Sequence, residues 1–213
     1  MRRWLCWALL SGLALANPFA ALVVTPFGEQ TFDLATGVTT LPDGGEVAAR
    51  EAGVVLSGQR LRYQQGVFVE AEGAKITARA FTLSAPSITL DLAERRLSAS
   101  GGVRYQSPEL ELGAEQVLID LARGYAVLSN VVSTRAPLLE AARLVVAGDL
   151  GAALLVGPYR YQDGPLVLSS SEPGDLLELR WSTTAEGLRF TVSTVISAEL
   201  LALYAPDGGA SGR

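Results

Sequence analysis

Reactive side chains are scarce in this chain, and those present set the first boundary on its function. Among its 213 residues there is no histidine, and the one cysteine, Cys6, lies near the N-terminus. Imidazole bases, intrachain disulfides and the usual zinc ligand sets are therefore missing together. Three groupings remain that could do chemistry. Asp33, Asp91, Asp120 and Asp149 recur in matching contexts and offer oxygens for a hard cation such as calcium, or carboxylates for acid/base work. Ser169-Ser170-Ser171 offers hydroxyl nucleophiles, and Arg95-Arg96 offers guanidinium groups to a phosphate. Each has a plainer reading. Carboxylates in identical register form a solvated row that blocks unwanted strand pairing. The serines have no histidine or lysine nearby in sequence to activate them, and an arginine pair is common in an exposed turn. The expectation is a protein without enzymatic activity, metal or cofactor.

The elements that hold these residues are written as a repeat. Ile88-Thr89-Leu90-Asp91-Leu92 returns 29 residues later as Val117-Leu118-Ile119-Asp120-Leu121. The same step reaches Gly148-Asp149-Leu150 onward, and Leu61-Arg62-Tyr63 and Phe32-Asp33-Leu34 backward. Gly44, Gly73 and Gly102 keep the same beat, with Val131 next in line and Asn130-Val131 standing where the glycine should be. Leu56-Ser57-Gly58, Leu83-Ser84-Ala85, Leu112-Gly113-Ala114 and Leu139-Glu140-Ala141 each precede the next copy by three residues. Such fixed-period self-similarity marks a stacked architecture. Within each copy apolar and polar residues alternate, the period of a strand with one face buried. Turn residues separate the runs, as in Pro42-Asp43-Gly44-Gly45 and Ser100-Gly101-Gly102. Leu138 to Val146 has helical propensity, but its register matches the other copies, so it is read as strand.

Alternation builds two apolar ladders. One contains Phe32, Leu61, Leu90 and Ile119 with Leu34, Tyr63, Leu92 and Leu121; the other contains Leu56, Leu83, Leu112 and Leu139. Stacked at about 4.8 Å per strand, they make a continuous apolar strip that suits acyl chains, or else meet and seal as a dry core. The small third residue of each copy lets an opposing layer come close.

The ends of the chain read differently from its body. Arg2-Arg3, the apolar run Trp4 to Leu15 and Ala14-Leu15-Ala16 have the layout of an export signal at 1–16, with an uncleaved N-terminal anchor as the rival. Repeats occupy 25–170. Two further alternating runs and a short helix from Ser197 to Tyr204, with Ser197 as its N-cap, are expected to cap the array over 171–204, and 205–213 reads as a disordered tail. Pro158 suggests an edge or bulge. A net charge of −5 makes nucleic acid a poor partner.

The phrase Leu90-Asp91-Leu92, then Gly101-Gly102-Val103, then Leu112-Gly113-Ala114-Glu115-Gln116-Val117 resembles the OstA-like family of lipopolysaccharide-transport proteins. The resemblance extends over about Thr31 to Ser170, with Arg62 and Gly148 departing from the phrase. It implies an all-β, elongated β-jelly-roll of stacked, mostly antiparallel strands, open enough along one side to hold acyl chains. It also implies a periplasmic carrier for lipopolysaccharide or a related glycolipid, joined to similar modules through strand edges, and either secreted or tethered to the inner membrane. A structural or protein-binding envelope β-solenoid without lipid is the alternative. The candidate groove residues are Phe32, Leu56, Leu61, Leu83, Leu90, Leu92, Leu112, Ile119, Leu121 and Leu139.

Overall fold

The computed structural model describes residues 22–50, 53–79, 81–107, 110–184 and 187–208, so the expected export signal lies outside the described residues. Among the described residues, sixteen strands and one helix follow in order. Six short strands come first: β1 (Leu22–Pro26), β2 (Thr31–Asp33), β3 (Val38–Leu41), β4 (Gly45–Ala49), β5 (Val54–Gly58) and β6 (Arg60–Gln64). Seven long ones form the body: β7 (Phe68–Thr77), β8 (Thr82–Asp91), β9 (Arg96–Gln106), β10 (Glu111–Asp120), β11 (Tyr125–Ser133), β12 (Leu138–Ala147) and β13 (Ala152–Asp163). The chain ends with β14 (Leu166–Ser170), β15 (Leu176–Thr184), β16 (Gly187–Ser193) and helix α1 (Ala198–Gly208). All strand pairs are antiparallel, so the fold is the all-β stacked array that the repeat predicts. Successive long strands begin 13 to 15 residues apart, and one repeat is therefore one hairpin.

Each long strand is interrupted near its middle. Pairing of β7 with β8 skips Gly73, pairing of β8 with β9 shifts between Ser84 and Ser87, and pairing of β12 with β13 shifts between Ala141 and Arg143. Gly73, Gly101, Gly102 and Asn130 all have positive φ at these breaks. Asn130 lies 29 residues after Gly101 and takes the place the glycine beat assigns to Val131, because β9 bends over two left-handed residues, Gly101 and Gly102, where β11 bends over one. A left-handed residue bends a strand and strengthens its twist, and Asn tolerates this region better than other side chains. A row of such bends folds the sheet along a line.

The two halves of each long strand consequently join different walls. At one end β7 pairs with β5 through Thr77, Ile76 and Lys75 but with β6 through Phe68 to Glu72. At the other, β13 pairs with β15 through Ala152 to Val156 but with β14 through Tyr159 to Asp163, with Pro158 at the switch. The first wall holds β1, β4, β5, half of each long strand and β14. The second holds β2, β3, β6, the other halves, β15 and β16. Inward residues of both, such as Leu83 and Ala85 with Ile88 and Leu90 of the same strand, belong to one core. Ala74, Ala85, Ala114 and Ala141, all buried, sit beside the bend, where small residues let the walls converge.

Helix α1 covers the outer face of the second wall. Leu200 is fully buried against Ala147 and Ala152, while Leu203 and Tyr204 pack against Tyr125, Val145, Leu154 and Val156. This explains why Ala152 to Val156 is apolar without alternation: its outer face is buried too. The helix begins just after Ser197 and its last residues, to Gly208, lie where the sequence suggests a tail. The Ser197 hydroxyl is buried and makes no capping hydrogen bond to the helix among the described residues. Instead the Ser197 N–H donates to Glu178 Oε2 at 2.6 Å. No helix among the described residues is long and apolar enough to cross a membrane.

Candidate functional site

Between the two walls lies an apolar cavity of about 130 Å³. The first wall supplies Phe81, Leu83, Tyr105, Leu112 and Leu139 to it, and the second supplies Val117, Ile119, Leu144, Val146, Leu179, Trp181 and Phe190. Its lining is almost wholly hydrocarbon and aromatic ring. Trp181 and Phe190 are direct cross-strand partners on β15 and β16, and Phe81 stacks on Tyr105 with ring centroids 5.4 Å apart. Offset aromatic stacks of this kind hold a rigid apolar surface. Such a lining is suited to excluding water from another apolar surface.

The structure divides the ten candidate groove residues into three groups. Leu83, Leu112, Ile119 and Leu139 line the cavity. Leu56, Leu61, Leu90, Leu92 and Leu121 are buried in the surrounding core without facing it. Phe32 is placed with neither: it lies on the edge strand β2 and is 59% exposed, and its neighbour Leu34 is 89% exposed. The ladder fails at its first copy because β2 pairs only with β3 among the described residues, at the end of the second wall. Phe81, Tyr105, Trp181 and Phe190 were missed as groove residues. Phe81 has its signal in the spacing to Leu83, and Trp181 and Phe190 lie in the two alternating runs read only as a cap.

The aspartate row has a local role. Asp33 Oδ1 accepts the Ala35 N–H at 2.8 Å, Asp91 Oδ1 accepts the Glu94 N–H at 2.8 Å, and Asp120 Oδ1 accepts the N–H groups of Ala122 and Arg123. Each caps the turn that closes its hairpin. The Thr36 hydroxyl and then the Ala35 amide hold the Asp33 carboxyl below the usual carboxylate range. The described residues hold no cluster of three metal-ligating side chains. Of the serine run, Ser170 donates to Asp175 Oδ2 and accepts the Glu172 N–H, a turn clasp.

A second charged feature supports the cavity from behind. Leu177 and Leu179 of β15 face inward, and Glu178 between them is 3% exposed on the outer side. Its carboxylate accepts from Arg180 Nε as well as from the Ser197 amide, joining β15 to the start of α1. Burial pushes the Glu178 carboxyl up, but the Ser197 amide and the Arg180 guanidinium outweigh it and leave it below its ordinary value.

No family model matches this chain, and no curated protein matches it. Among solved structures it is similar to LptH from Pseudomonas aeruginosa, described as the LptA homologous periplasmic component of the conserved lipopolysaccharide transport device. That similarity is 13% in identity and 0.46 in TM-score, over 51% of this chain and 82% of that one.

Proposed function

We propose that this protein is a non-catalytic carrier of the cell envelope, binding the acyl chains of lipopolysaccharide or a related glycolipid and assisting its transport to the outer membrane. The observation that carries the reading is the apolar cavity between the walls, whose lining offers a ligand chiefly dispersion contacts and water exclusion. The OstA-like phrase in the sequence points the same way. Open edges favour assembly with similar modules: β1, β2, β14 and β16 each pair on one side only among the described residues, and Phe27, just after β1, is 61% exposed. Localisation in the periplasm belongs to this proposal.

Trp181 makes the test direct, because the other two tryptophans, Trp4 and Trp7, lie within the expected export signal. Delipidated exported protein titrated with lipopolysaccharide is expected to show a saturable change in Trp181 emission, and the protein as isolated is expected to yield bound lipid by mass spectrometry. Ile119→Arg and Val146→Arg, at half-buried lining positions, are expected to abolish the emission change while the far-ultraviolet circular dichroism stays that of a β protein. A lipid-free isolate with unresponsive Trp181 overturns the carrier reading and leaves the protein-binding solenoid.

A further inference from the structure

We propose that acyl chains enter and leave this molecule sideways, through a mouth between Phe81 and Tyr105 on the first wall and Trp181 and Phe190 on the second, because its N-terminal third is a sealed plug. The inference rests on the carrier reading above and adds a route to it.

The mouth is marked by which lining residues reach solvent. Leu83, Leu112, Val117, Leu128, Leu139 and Leu144 are buried, the first wall's Leu83, Leu112 and Leu139 each one residue inside its strand end and the second wall's Val117, Leu128 and Leu144 each three. The half-buried members of the lining are Phe81, Tyr105, Ile119, Val146, Trp181 and Phe190. Phe81 directly precedes β8, Tyr105 and Ile119 are next to last in β9 and β10, and Val146 is next to last in β12. Trp181 lies one residue past Arg180, the last residue of β15 paired with β13, and Phe190 is its partner. All six therefore lie along the long side of the roll opposite the bend, on both rims, and the cavity meets water there.

The plug is marked by contact between the walls. No residue of β1 to β7 lines the cavity. Leu41 and Leu61 of the second wall are 0% exposed. A methyl added at Gly45 of the first wall would stand 2.9 Å from the Leu41 side chain and 3.3 Å from that of Leu61. A methyl at Gly58 would stand 3.1 Å from Ala71 Cβ. These contacts close the walls beside the bend, and farther from it Val47 and Leu56 of the first wall and Val69 of the second are buried in the same core, so the N-terminal third is packed and no acyl chain runs through it along the axis. An occupant of the cavity is bounded on the N-terminal side and has the lateral opening as its way out.

The test reads entry rate, using dibromostearate, whose bromines quench tryptophan on contact, as the acyl-chain probe. The full chain carries Cys6→Ser, Trp4→Phe and Trp7→Phe, so Trp181 alone reports and one new cysteine at a time can be labelled with a bulky maleimide. An adduct at Phe81→Cys is expected to slow quenching at least about tenfold, and one at Phe32→Cys, on the N-terminal edge, to leave it within about twofold, as expected when a lid over a site sets access. Phe81→Ala and Phe190→Ala, which widen the mouth, are expected to accelerate it. Slowing by the Phe32 adduct equal to or greater than that by the Phe81 adduct, or no slowing by either, overturns the lateral route while leaving the carrier intact. Absence of quenching in the unlabelled chain overturns the carrier reading itself.

Discussion

Glu178 is a carboxylate kept charged in an apolar setting by one backbone amide and one guanidinium, and its removal is therefore felt at two elements at once. Glu178→Gln keeps an acceptor for Ser197 but loses the charge, and is expected to destabilise the fold by about 1–2 kcal/mol in urea denaturation near neutral pH. The amide bond dominates, since Arg180 is 44% exposed and its ion pair is weakened by solvent. The pH dependence follows from the lowered carboxyl. Its stabilisation is fully present above the ordinary glutamate value of about 4.3 and is lost as pH falls through the lower folded-state value, so wild type and variant converge in acid. Asn130 gives a second residue-scale prediction: with φ at 51°, Asn130→Gly should leave the thermal midpoint nearly unchanged, while Asn130→Val should lose about 1–2 kcal/mol. The beat of Gly44, Gly73 and Gly102 is legible, and it reaches Val131 rather than Asn130 because a strict count cannot see that Gly101 and Gly102 share one bend. Glu178 was not legible, since a glutamate in a strand looks solvent-facing until a distant helix is packed over it.

Strands and their faces were the most readable scale. Alternation marks the inward residues of nearly every copy, and the strand reading of Leu138 to Val146 agrees with β12. What alternation does not contain is the bend. A pattern of period two says which residues share a face, but one extra residue in mid-strand sends the two halves of that face to opposite walls, and only the pairing shows it. The small residue ending each Leu-x-small phrase was the trace of this bend in the sequence. Ala114 is 8% exposed beside it, and Ala114→Leu is expected to force the walls apart at a cost of about 1–3 kcal/mol, measured by chemical denaturation. An unchanged midpoint would mean that the walls do not converge there.

At the scale of the whole molecule, α1 serves as a cover for the outer face of the second wall. Ending the chain at Ser197 should expose Tyr125, Val145, Leu154 and Val156, raise the binding of a hydrophobic dye, and lower stability by at least about 2 kcal/mol, the loss of Leu200 burial alone approaching that figure. The near-equal length of the central hairpins has another outcome. Because each long strand carries its own kink and the hairpins closed at Asp91 and Asp120 carry their own turn caps, duplicating one such hairpin inserts a module that already fits both neighbours. Two added strands lengthen the trough by about 9.6 Å, so the capacity of such a vessel is set by copy number, and descendants of different reach need differ only in how often one short stretch of gene was copied.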